Sequence, residues 1–381
     1  MKQGWEYKKL GEVCNITMGQ SPDGKSINDN EGVEFHQGKT CFGERTLGVS
    51  CLFSNAPVKL AEANSVLLCV RAPVGYPNIT NRKICIGRGL CALYAKENID
   101  NTFLFYSLLG KQSHFEKNAT GSTFKAISSK VISNTEIPFP PKSTQLSIVS
   151  ELDKINELIR LKKEQLKDYD NLAQSIFYEM FGDPVENEKG WEVKKWKEVF
   201  NTILGKMLDK SKQINHLKQY KYLANMNVQW GYFDLKELRS MTFTDEELAK
   251  YELRNNDLLI CEGGDAGRCA IWKETDETIL FQKAIHRARL IDTDNADVVY
   301  IRYWMQFYKV NKGLKDYISK STIEHLTGDK LKRLPIPLPP LPLQHLFAQR
   351  IEQIERQKSA VQKSITDLET LLASRMQYWF E

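Results

Sequence analysis

Ile137-Pro138-Phe139-Pro140-Pro141-Lys142-Ser143-Thr144-Gln145 opens a run that continues without Gly or Pro to Phe181. The phrase returns as Ile336-Pro337-Leu338-Pro339-Pro340-Leu341-Pro342-Leu343-Gln344, followed by a second Gly- and Pro-free run to Phe380, at a constant offset of 199 residues. Each Pro fixes its own φ and restricts its predecessor, so the Pro-rich hinge before each run is not helical and forms a stiff elbow or helix stop. Beyond the elbows, apolar residues recur by fours and threes. Ile148, Leu152, Ile155, Ile159 and Leu166 mark the first run; Ile351, Ile354, Val361, Ile365 and Leu368 mark the second. This is the heptad seam of two long helices. A single helix this long would leave its stripe exposed, so the natural closure is an antiparallel coiled-coil pair with a pseudo-two-fold axis. Two seam positions are polar, Lys162 opposite Val361 in the repeat and Lys358 opposite Ile159, and such residues can fix orientation and register.

The repeat extends outward from the helices. Gly4-Trp5-Glu6-Tyr7-Lys8-Lys9 matches Gly190-Trp191-Glu192-Val193-Lys194-Lys195 at an offset of 186. Ser65-Val66-Leu67-Leu68-Cys69 matches Asp257-Leu258-Leu259-Ile260-Cys261 at 192, with Gly75 and Gly267 behind them at the same offset. Ile86–Leu90 and Phe281–Ile285 follow at 195, and from Ser122 and Ser321 onward the offset is 199. An offset that rises without reversal is what a duplication with small loop insertions produces. Short β-branched and aromatic runs bounded by Gly, Asn and Pro dominate each copy, with helical stretches near 101–111 and 298–312. The expected fold is α+β: two similar globular domains with a mixed, barrel-like sheet and helices, at 1–141 and 182–340. Two long antiparallel coiled-coil helices, at 142–181 and 341–381, join them in a pseudo-two-fold internal repeat.

At 381 residues, with 41% hydrophobic and 27% charged side chains, the chain is an ordinary globular protein with room for two domains. No apolar stretch approaches the length of a membrane span and no secretory leader follows Met1, which gives an expectation of a cytoplasmic protein without membrane contact. Eight scattered cysteines without a Cys-x-x-Cys pattern read as reduced thiols. There is no P-loop, no Asp/Asn-Pro-Pro-Tyr/Phe motif for adenine methylation and no strand-borne nuclease pattern, so neither a catalytic nor a metal-ligating set is expected. Glu262-Gly263-Gly264-Asp265-Ala266-Gly267 reads as a sharp turn, because its counterpart is Val70-Arg71-Ala72-Pro73-Val74-Gly75.

The net charge of +5 is too mild to identify a nucleic-acid binder by itself. The positive signal is local. Residues 63–96, 117–135 and 278–291 contain no Asp or Glu while carrying several cations. Candidate DNA-contacting residues are Arg71, Arg82, Lys83, Arg88 and Lys125 in the first copy, and Arg268, Lys283, Arg287, Arg289 and Lys320 in the second. Arg and Lys on loops neutralise phosphates, and Arg, Asn and Gln read base edges. A protein-gripping spacer and an enzyme with an unreadable motif are the competing classes. Dissimilar globular copies beside matched helices argue against the first, and the missing cofactor motifs against the second.

The Gly-Trp-Glu-x-Lys-Lys openings, the Ser-Thr loops, the Ile-Pro-(Phe/Leu)-Pro-Pro-x-x-x-Gln elbows and the long helices, all used twice, resemble the specificity subunits of type I restriction-modification systems. The resemblance covers the whole chain. It implies two target-recognition domains, each reading one half of a split double-stranded DNA sequence, held apart by a coiled coil. It also implies a chain without catalytic residues or cofactor of its own. Two methyltransferase subunits carrying S-adenosylmethionine would dock on it, and restriction subunits using ATP and Mg would join through them. The cell would be bacterial or archaeal. No base-reading residue carries over by motif.

Overall fold

A computed structural model describes residues 5–121, 125–207, 218–273, 275–320 and 324–380. The chain divides into two compact units, the first formed by residues 1–164 with 362–381 and the second by 165–361. Each long helix is therefore split, one end belonging to each unit.

The first unit contains an antiparallel four-stranded sheet with the order Cys14–Met18, Leu90–Ala95, Val66–Cys69, Pro77–Ile79. The second unit repeats it as Phe200–Leu204, Ile285–Leu290, Leu258–Cys261, Cys269–Ile271. The central strands are apolar on both faces: Val66–Cys69 and Leu258–Cys261 are buried at every position, as expected for strands with side chains packed above and below. A second sheet adjoins each. In the first unit it has five short strands around a parallel pair, Phe35 with Cys85 and His36 with Ile86. In the second it has three, with the corresponding parallel pair Tyr222 with Leu280 and Leu223 with Phe281. Among the described residues no sheet closes on itself, so the barrel-like sheet expected from the strand-rich pattern is replaced by open, adjoining sheets. The repeat therefore holds in topology, and the second sheets are where the copies diverge.

The two repeated phrases at the domain edges pair with each other. Glu6–Lys9 runs antiparallel to Glu136–Phe139 with Tyr7 opposite Pro138, and Glu192–Lys195 does the same with Pro335–Leu338, Val193 facing Pro337. A two-stranded ribbon tolerates Pro because its missing N–H need not serve a ladder bond. The elbows are thus strands, and each helix starts directly behind them, at Lys142 and Leu341.

The Gln shared by both copies of the phrase closes this corner. Gln145 is fully buried. Its Oε1 accepts the Asp100 N–H at 2.9 Å, and its Nε2 donates to the carbonyls of Asn98 at 2.9 Å and Pro140 at 2.8 Å. Asp100 in turn caps the helix Asn101–Gly110 by accepting from the N–H groups of Thr102 and Phe103. The second unit repeats the arrangement with Gln344, Asp297 and the helix Val298–Val310. One amide side chain thereby ties the elbow, the short helix and the long helix together.

Of the seam residues, Ile148, Leu152, Ile155, Ile159, Ile351, Ile354, Val361 and Ile365 are buried, while Leu166 and Leu368 are half-buried. Ile148 and Leu152 join the core of the first unit around Phe103 and Phe380, and Ile351 and Ile354 join that of the second around Phe177 and Phe347. Part of the seam therefore belongs to globular cores. Helix-to-helix contacts occur within each unit: Arg375 pairs with Glu151 and Lys163 with Glu369 in the first, and Lys358 with Asp170 at 2.8 Å in the second. In the second unit Arg350 also reaches the Met180 Sδ at 3.8 Å, so in both units residue numbers rise along one helix as they fall along the other, an antiparallel register. Lys358, one of the two polar seam positions, is held by Asp170 and Glu355.

Candidate nucleic-acid interface

A surface that binds phosphates and base edges needs cations with uncommitted donors. The ten cations singled out in the sequence divide sharply on that criterion.

Four are consumed by the fold. Arg82 forms a two-pronged pair with Glu34, both N···O distances 2.6 Å, and also donates to the carbonyls of Leu47 and Gly48. Burial pushes the Glu34 carboxyl up, but hydrogen bonds from Arg82, the Ser50 N–H and His36 override it and hold it at about 2. Arg289 is bidentate to Asp257, which is fully buried, at 2.7 Å on each oxygen. Arg287 is buried and donates to the carbonyls of Lys250 and Glu252. Burial pulls its pKa down, with Arg289 adding to the effect. Arg268 donates to the Asn225 carbonyl at 2.9 Å and lies beside Asp265. These guanidiniums clamp loops, their donors taken up by carboxylates and carbonyls of the fold. The carboxylates that hold Arg82 and Arg289 lie far away in sequence, Glu34 48 residues from Arg82 and Asp257 32 from Arg289, so an acid-free window could not expose them. His286, in the same stretch, is buried against the Leu326 carbonyl.

Lys83 is exposed and pairs with Glu62 at 2.7 Å, a surface bridge that a phosphate can displace at little cost. Arg71, Arg88, Lys125 and Lys283 are exposed and make no ion pair among the described residues. The side chain of Lys320 lies outside the described residues, as do the Ser122-Thr123 and Ser321-Thr322 loops.

In the first unit the free cations converge. A cleft of about 630 Å³ is lined by Gln37, Lys39, Arg71 and Arg88 together with Val49 and Leu52, and among the described residues no carboxylate lines it. Lys125 adjoins it, since its carbonyl accepts the Ala72 N–H at 3.1 Å and Ala72 is in the wall. Lys39 sits 4.4 Å above the Tyr76 ring. Gln37 and Lys39 escaped the sequence reading because their segment holds Glu34 and Glu44, which spoil any acid-free window. The turn that carries Arg88 is built by close approach. A Cβ at Gly87 would come within 3.1 Å of the Gln37 Cα, and one at Gly89 within 2.2 Å of the Gln37 carbonyl. Only glycine fits at 89, a side chain at 87 would have to push Phe35 and Gln37 aside, and Arg88 is thereby held against the Gln37 segment.

The second unit carries a different surface at the matching turn. Lys283 takes the place of Arg88, Gly263 that of Arg71, and Met226 is exposed on the segment behind the parallel pair. All eight cysteines are free, with Cys51 exposed on the cleft of the first unit. Among the described residues no group of three or more His, Cys, Asp or Glu side chains is placed to hold a metal ion, and no helix is long and apolar enough to cross a membrane.

Comparison with known proteins agrees with this architecture. A putative type I restriction enzyme specificity subunit of Methanocaldococcus jannaschii (MjaX) is 38% identical over 178 residues, covering 46% of this chain and 42% of that one. The MjaVIII specificity subunit of the same organism is 22% identical over 398 residues, covering 97% and 92%. The chain thus spans less than half of the first relative and nearly all of the second. The crystal structure of a type I restriction-modification S subunit from M. genitalium matches along 100% of this chain and 98% of its own, with a TM-score of 0.56 at 14% identity. A chain from a study of complex assembly and conformational transition in a type I system matches with a TM-score of 0.68 at 18% identity, covering 100% and 98%. At these identities the structural likeness speaks to the fold. The model of the type I restriction modification DNA specificity domain matches twice, over residues 2–168 and 188–370, and the chain therefore belongs to that family of specificity subunits.

Proposed function

We propose that the two units read the two halves of an asymmetric, bipartite DNA target, and that the paired long helices set the spacer between the halves and dock the methyltransferase subunits. The observation that carries this reading is the combination of one scaffold with two surfaces. The four-stranded sheets, the elbows and the Gln145 and Gln344 locks repeat, whereas the second sheets and the cations at the matching turn differ. A symmetric clamp would keep its contact surfaces alike; a pair of readers for unlike half-sites keeps only the frame. Each helix has 40 residues and is about 60 Å long, comparable with about 18 base pairs of duplex. Dimeric DNA readers use such rigid separations to recognise half-sites with an unread gap.

Methylation of a base requires its extrusion from the stack into an enzyme pocket. In this reading the enzyme is a separate subunit that brings S-adenosylmethionine, and restriction subunits with ATP and Mg join through it. The test is domain exchange in cells that make the chain with its partners. Replacing residues 1–141 by the matching segment of a relative should change one half of the methylated motif and leave the other half and the spacer intact. Changes in both halves, or in neither, would refute independent reading.

A further inference from the structure

We propose that base recognition in the first half-site is concentrated in the cleft between Gln37–Leu52 and the Arg71 and Arg88 turns, with Arg71 and Arg88 as guanidinium donors to base edges and Gln37 as the paired amide. The inference rests on the reading above and narrows it to named side chains. Three features of the cleft favour base edges over a phosphate track. First, its lining is mixed. Lys39, Arg71 and Arg88 are joined by the exposed amide of Gln37 and by two exposed apolar side chains, Val49 and Leu52. A backbone grip needs only cations, whereas the major groove offers guanine acceptors, adenine donor–acceptor pairs and thymine methyl groups, which Arg, Gln and aliphatic side chains match in turn.

Second, no carboxylate among the described residues lines the cleft, and the nearby Glu34 is spent on Arg82, His36 and the Ser50 N–H. The guanidiniums of Arg71 and Arg88 therefore keep their full donor forks. Third, the presentation is rigid. The Gly87 N–H donates to the His36 carbonyl at 2.8 Å, the Val70 N–H to the Gly89 carbonyl at 3.0 Å, and the Leu90 N–H back to Gly87 at 2.9 Å. These bonds knit the Arg71 strand end, the Arg88 turn and the Gln37 segment into one frame. A reader of bases has to be held this way, because a bidentate contact tolerates little positional freedom. The matching place in the second unit has Gly263 for Arg71 and Lys283 for Arg88, so the same contacts cannot be made there.

The experiment maps methylated sites genome-wide in cells producing the full chain with its methyltransferase partner, comparing wild type, Arg88→Ala and Gln37→Ala. Each variant should relax one base position in the half assigned to residues 1–141, with discrimination at that position falling about 5- to 150-fold and all other positions and the spacer unchanged. Uniformly weaker methylation with an intact motif would assign the cleft to backbone gripping and overturn the proposal. Relaxation in the other half would overturn it as well.

If a variant abolishes methylation outright, Cys51 supplies an independent measurement on the unmodified chain, because it is exposed and lines the cleft. N-ethylmaleimide should label Cys51 at least tenfold more slowly when a duplex carrying the methylated motif is bound. A duplex altered in the half read by residues 1–141 should give no protection. Equal rates with and without the bound motif duplex would overturn the proposal. An exchange of residues 1–141 that still changes that half of the motif would then leave the bipartite reading standing, whereas an exchange without effect would remove both.

Discussion

Replacing Gln145 by Ala should destabilise the first unit more than the equivalent change at Gln344 destabilises the second. Gln145 is fully buried and satisfies three backbone groups, the Asp100 N–H and the carbonyls of Asn98 and Pro140, at 2.8–2.9 Å. Truncation leaves all three without a partner. A buried group left unpaired costs about 1–3 kcal/mol, and water entering the vacated space recovers part of that, so a loss of about 2–5 kcal/mol is expected. In the second unit the bonds to Asp297 and Pro339 are 2.9 and 2.7 Å, but the one to Asn295 is stretched to 3.5 Å. Gln344→Ala should therefore cost about 1 kcal/mol less. Gln145→Glu keeps the shape and the acceptor but turns a second oxygen toward two carbonyls, and at neutral pH it should be no better than Ala. Hydrogen exchange read by mass spectrometry reports the effect locally. Amides of Asp100 and of the helix Asn101–Gly110 should exchange on the order of 30-fold faster or more, every 1.4 kcal/mol being tenfold. A loss below about 1 kcal/mol in urea unfolding, with unchanged exchange at Asp100, would refute the idea that this amide locks the corner.

Acid should destabilise the first unit through Glu34. Its carboxyl is held at about 2 in the folded chain against an ordinary 4.5, so the stability it contributes is complete above the higher value and is lost as pH falls toward the lower one. Glu34→Gln should accordingly be less stable than wild type at neutral pH, and the gap should close progressively on acidification. A gap that stays constant across that window would sink the assignment. His36 adds a loss of the same sign at higher pH, because burial lowers its pKa and protonation opposes folding. Arg289→Leu should cost about 3–5 kcal/mol, because it leaves the buried Asp257 carboxylate without its counter-charge and with the Arg254 N–H as its remaining donor; the double change with Asp257→Asn should recover part of the loss, which urea unfolding of the three variants will show. A variant that unfolds like wild type but alters the methylated motif would return Arg289 to the list of DNA contacts.

The duplicated frame was readable because both copies use the same words at the same places: the Trp-Glu openings, the buried Leu-Leu strands and the Pro-Pro-x-x-x-Gln elbows. That the opening phrase pairs with the elbow phrase was not readable, since Tyr7 meets Pro138 only through the closed fold. The open sheets were missed for a related reason: alternation within a strand reports which face is buried and says nothing about whether the sheet's edges meet.

The cations show the same limit in chemical form. A window without Asp or Glu measures local charge, but a guanidinium is neutralised by whatever the fold brings to it. Arg88 and Arg289 look alike in sequence, each in an acid-free run of the same repeated region. One sits between two glycines whose missing side chains let the Gln37 backbone approach, so its fork faces an open cleft. The other lies on a strand beside fully buried Asp257, which takes both arms of the fork. The local signal that separates them is the glycine pair, which marks a close-packed turn that presents its central residue. Removing either side chain deletes the same charge, yet the consequences should be opposite: Arg88→Ala should change what is read and leave stability alone, and Arg289→Leu should change stability through a stranded carboxylate.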